Sequence, residues 1–172
     1  MALNKENEKL LNMVYAGLFA ALTALLTAGL HIPVGNGYVH CGDAVIYLAA
    51  AVLPLPYAAG AAAVGGALAD LMSGYAVYAL PTFLIKGMLA LVFSAIGGTR
   101  KLEKRRILAM LLCGIVSVIG YWITAVILYG GWAAQFAETV PGNCVQAVGS
   151  GIVYAVVAAA MERVHDPRLK CL

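Results

Sequence analysis

The chain has 172 residues, 63% hydrophobic and 11% charged, with a mean hydropathy of +0.90, far from the mixture a water-soluble domain carries. Its formal charge of +3 sits in short basic stretches, not in a groove with interleaved aromatics, so nucleic acid is excluded as a partner. The composition is that of an integral protein of the cell membrane, a single domain over residues 1–172 with room for about six helical crossings of roughly 20 residues each.

Residues 10–30 are an apolar segment long enough to cross alone. A cleaved signal peptide fits less well, because Glu6 and Glu8 dilute the basic start and no small-residue cleavage site follows. Residues 31–42, HIPVGNGYVHCG, carry a proline and three glycines and read as an outer loop. Two short apolar segments, 43–53 and 57–71, are separated by Pro54-Leu55-Pro56. Two crossings are expected there, although a re-entrant hairpin returns the chain to the same face. Residues 73–80 read as a second outer loop, and 81–96 lead back to a basic cluster. Residues 107–129 lead out, 130–142 form a third outer loop, and 143–161 return.

Orientation follows from the cations. Ten of the eleven Lys and Arg residues fall in three stretches: Lys5 and Lys9; Arg100, Lys101, Lys104, Arg105 and Arg106; and Arg163, Arg168 and Lys170. Basic segments stay on the cytoplasmic side, so an even number of crossings separates each stretch from the next, and both termini are cytoplasmic. The expected fold is an all-α membrane protein of six transmembrane helices.

Catalytic signatures are missing. There is no Gly-x-x-x-x-Gly-Lys-Ser/Thr loop, so the chain cannot hydrolyse ATP by that route and any energy must come from elsewhere. Gly-x-Ser-x-Gly, His-Glu-x-x-His and paired helical carboxylates are absent as well, and His31, His40 and His165 are dispersed. Neither an enzyme nor a cofactor is expected.

Ionisable residues inside the membrane are costly and are functional candidates by default. Lys86 is the one cation outside the basic stretches, and Asp70 lies at similar depth on the preceding segment. They form either a structural ion pair or a substrate contact. Tyr75, Tyr78, Asn143 and Gln146 fall at the same level. Asn143 and Gln146 are three apart, on one helical face, where their amides can read a planar heterocycle. Their structural alternatives are a helix cap for Asn143 and a helix–helix bond for Gln146, while an interfacial belt accounts for Trp122, Tyr129 and Trp132.

His40, Cys41 and Asp43 are too few for a metal site. His40 and Asp43 suit a polar lid over substrate, or Asp43 an N-cap. Cys41 and Cys144, both on the outer side, allow one disulfide that nothing requires. Ala16, Ala20, Ala24 and Ala28 recur every four positions, as do Ala62, Gly66 and Asp70. Such stripes serve internal packing or a partner helix equally well.

The segments GYVHCGDAVIYLAAAVLP and ALADLMSGYAVYALPTFLIKGMLALV, following a helix with repeated Ala-x-x-x-Ala, resemble the substrate-binding S components of energy-coupling factor (ECF) transporters. The likeness covers the whole chain and is densest over residues 37–91. It implies six helices binding a vitamin-like micronutrient from outside, beneath the first and third outer loops. Implied partners are a transmembrane coupling protein, docking at Ala16, Ala20 and Ala24, and two cytoplasmic ATPases. His40, Asp43, Asp70, Tyr75, Tyr78, Lys86, Asn143 and Gln146 are the candidate substrate residues. The chain is similar to a branch linked to queuosine and its deazaguanine precursors, with pyridoxine-like or thiamine-precursor heterocycles as alternatives. A membrane scaffold, using only the small-residue stripes, is the reading from a different class.

Overall fold

The computed structural model describes residues 5–97 and 103–161. Arg100, Lys101, Arg163, His165, Arg168, Lys170 and Cys171 lie outside the described residues. The elements in order are α1 (Lys5–Gly29), β1 (His31–Val34), β2 (Gly37–His40), α2 (Asp43–Val52), α3 (Leu55–Met72), a 3₁₀ turn (Ala76–Tyr78), α4 (Ala79–Gly97), α5 (Glu103–Tyr129) and α6 (Trp132–Met161).

The protein is an all-α membrane protein, and five of its six described helices are long and apolar enough to cross a bilayer. The sixth, α2, has ten residues, about 15 Å of helix against a hydrocarbon core of about 30 Å. Its end is set by Pro54. The residue before a proline is forced out of the helical region, and Leu53 is extended at φ −100°, ψ 151°. Pro54 then caps α3, and Pro56 sits in its first turn, where the missing N–H costs nothing.

Helix α2 is enclosed, with Ile46 and Ala51 at 0% exposure. Tyr47 on α2 stacks on Phe93 of α4 at 5.1 Å, and Tyr154 of α6 meets both rings edge-on, the geometry aromatic quadrupoles favour. The long helices surround this centre and turn Leu18, Leu84, Ile127 and Val148 outward, each more than half exposed. An apolar exterior around a core that holds charges is what lipid as solvent requires.

Two glycines of α3 set its close seams with α1 and α4. A Cβ on Gly65 would stand 2.6 Å from the Ala20 carbonyl oxygen on α1, and one on Gly66 would stand 2.7 Å from Lys86 Cγ on α4. Ala20 and Ala24 are buried, so two positions of the expected docking stripe are occupied by packing within the chain. Ala16 is half-buried, and α1 turns Gly17, Leu18, Ala21 and Leu22 outward instead.

Two expected loops are structured. Residues 31–40 form an antiparallel hairpin in which Val34 pairs with Gly37, leaving Gly35 (φ +56°) and Asn36 as a two-residue turn, an arrangement that demands glycine at its first position. The third outer loop shrinks to Gly130 and Gly131, both at φ +73°, because α6 already begins at Trp132. The alanines and Gln135 after it favour helix, and Pro141 is carried inside α6, as membrane helices permit.

Candidate substrate site

The centre of the site is a charged network beneath the hairpin. Asp43, the first residue of α2, accepts from Lys86 Nζ of α4 at 2.6 Å on Oδ1 and from Gln146 Nε2 of α6 at 3.0 Å on Oδ2. Gln146 Oε1 in turn accepts from the backbone N–H of His40 at 3.3 Å. Three helices and one strand are thereby tied through side chains that are almost fully buried. The Lys86 ammonium also lies 5.2 Å from the Tyr121 ring centroid, within cation–π range.

His40 is neutral here. Its Nδ1 accepts from the Gly42 N–H at 2.9 Å, which fixes that nitrogen as the unprotonated one. Burial, and next the nearby Lys86 charge, push its pKa down to about 3.

A second polar group sits closer to the surface. Tyr38 of β2 donates to Asp70 Oδ1 of α3 at 2.6 Å; burial, followed by that carboxylate, raises the phenol's pKa. The Tyr38 ring packs against Tyr75 at 4.8 Å and His40 at 5.6 Å. Tyr121 donates to Thr82 at 3.1 Å. Between the hairpin and α6 lies a cavity of about 50 Å³, lined by groups that include Tyr38, His40, Asp70, Tyr121, Asn143 and Gln146. At the hairpin tip, Asn36 Nδ2 donates to Glu138 at 2.9 Å.

Five of the eight candidates from the sequence, His40, Asp70, Tyr78, Asn143 and Gln146, line this cavity together. Asp43 and Lys86 form the network joined to it, and Tyr75 supports Tyr38. Three structural expectations are corrected. Lys86 pairs with Asp43 rather than Asp70. Asp43 spends its carboxylate on Lys86 and Gln146 rather than capping α2. Asn143 is no cap, since it lies inside α6 and donates to the Thr139 carbonyl. Cys41 and Cys144 are free thiols. Sequence reasoning passed over Tyr38, Tyr121, Glu138 and Thr139, all of which line the cavity. A signal for Tyr38 was present, because alternation along a strand puts it on the same face as His40.

The family described as ECF-type riboflavin transporter, S component, matches this sequence over residues 7–163. The chain belongs to this family. It is therefore a transporter S component, from a family of membrane proteins that bind small-molecule substrates. A solved structure titled "Structure and mechanism of the S component of a bacterial ECF transporter" superimposes with a TM-score of 0.72 at 21% identity, covering 91% of this chain and 96% of that one, which establishes the shared fold. A curated protein from Pyrococcus woesei, described as "Uncharacterized protein in gap 3'region", is 41% identical over 125 residues, 71% of this chain and 80% of that protein.

Proposed function

We propose that this S component captures a planar, vitamin-sized heterocycle on the outer side of the membrane, beneath the 31–40 hairpin. The captured molecule passes to a transmembrane coupling protein powered by two cytoplasmic ATPase subunits. The observation that carries this reading is the family match across nearly the whole chain. Riboflavin, the substrate in that family's description, is the first ligand to test, and a queuine-type deazaguanine is the second. The chemistry beside the cavity suits either, since Asn143 and Gln146 offer amide donors and acceptors, Asp70 a carboxylate, and Tyr38 and Tyr121 rings for stacking.

The test is to purify the protein from cells grown in rich medium, identify co-purifying small molecules by mass spectrometry, and titrate riboflavin and queuine calorimetrically. A co-purifying heterocycle that rebinds stoichiometrically supports the reading. Failure to find or bind any heterocycle would sink it and leave the scaffold reading.

A further inference from the structure

A second cavity, about 660 Å³, runs along the lipid-facing side of α5 and α6, with only apolar residues around it. Ile107, Gly114 and Val118 line it from α5, and Ala147, Gly151 and Ile152 from α6. The helices nearly touch at its floor, where a Cβ on Gly114 would stand 3.1 Å from that of Ala147. Exposed Ile107 and Ile152 form parts of the rim.

Dimensions decide what fits. The α5 residues of the groove run from Ile107 to Ile119, about 18 Å at 1.5 Å per residue, against roughly 15 Å for half of a bilayer's hydrocarbon core. An open apolar groove of that length and about 660 Å³ accommodates a hydrocarbon chain reaching from the membrane surface toward its midplane.

Charge decides which lipid. The groove positions on α5 recur at helical spacing, and one turn back the same face reaches Lys104, which is exposed. Lys104 stands at the mouth, about 4.5 Å beyond Ile107 along the helix axis. We infer that this groove is a binding site for one anionic phospholipid, its acyl chain lying between α5 and α6 and its phosphate held by Lys104. A zwitterionic lipid fills the groove equally well but gains less at the mouth.

The test uses delipidated protein in detergent, incubated with phosphatidylglycerol or with phosphatidylcholine of the same acyl chains, and read by native mass spectrometry. Phosphatidylglycerol should be retained about fivefold better. Lys104→Ala should remove that preference, and Ala155→Phe, which fills the groove from α6, should weaken retention of both lipids. Val148→Phe, on the same wall, serves if Ala155→Phe does not fold. Equal retention of the two lipids, a preference that survives loss of Lys104, or undiminished binding by a folded groove-filling variant would each overturn the site. A dimer mass displacing the lipid adducts would instead assign the groove to a second copy of the chain.

Discussion

Lys86 and Asp43 meet at 2.6 Å with about 1% of either side chain exposed, forty-three residues apart in sequence and on helices of very different length. Removing one member of such a pair strands a buried charge, which costs about 3–5 kcal/mol, while removing both charges is often nearly neutral. Lys86→Met should therefore lower the thermal midpoint sharply in detergent. Adding Asp43→Asn, whose amide oxygen can still accept from Gln146, should restore most of it, whereas adding Asp70→Asn should not. Equal rescue by the two second-site changes would show that the ion pair is not specific to Asp43.

Acid should weaken the fold through His40. The unfolded chain takes up a proton near the ordinary histidine value of about 6.5, the folded chain only near 3. Between those values the unfolded state binds more protons, so stability falls as pH falls. His40→Asn keeps a side-chain acceptor for the Gly42 N–H and removes the titration. Its melting temperature should drop less between pH 6.5 and pH 4 than that of the parent protein. Parallel curves would place the acid sensitivity elsewhere.

The seam between α1 and α3 should tolerate no added bulk. Ala20→Leu and Gly65→Ala each force a side chain into filled space, a change that typically costs about 1–3 kcal/mol. Gly17→Leu, at an exposed position where an added Cβ meets nothing within 4 Å, should leave the melting temperature unchanged. Normal melting of Ala20→Leu would reopen that stripe as a partner surface.

Thiol labelling checks orientation. With the other cysteines replaced, exposed Cys41 should react with a membrane-impermeant maleimide in intact cells, and Cys171 only after lysis. The reverse pattern would invert the topology.

Much of this architecture was legible because lipid imposes simple rules. Long apolar runs and clustered cations placed the spanning segments, and five of eight polar candidates reach one cavity because buried polar groups in such a chain are few. Pairing was harder to read. Lys86 and Asp70 are close in sequence and similar in depth, but Gly66 brings α3 against the stem of Lys86, and its ammonium reaches Asp43. Nothing along the chain announces that approach. The hairpin was legible and overlooked, since Gly-Asn between two short β-prone runs is a two-residue turn signal. The start of α6 was obscured by Pro141, which ends a helix in water more readily than in a membrane.

A cavity of about 50 Å³ is far below the roughly 300 Å³ at which small-molecule pockets begin, and this has a kinetic consequence. If a heterocycle binds beneath the hairpin as proposed, it enters only after the Tyr38–Asp70, His40–Gln146 and Asn36–Glu138 contacts have parted. The association rate should then level off at high ligand concentration, at the frequency with which the hairpin lifts, and the measured affinity is the intrinsic one reduced by the fraction of molecules standing open. Weakening the tip, as Asn36→Ala does, should raise that plateau. On that reading, the same three contacts, re-formed over a bound molecule, would set how long it stays.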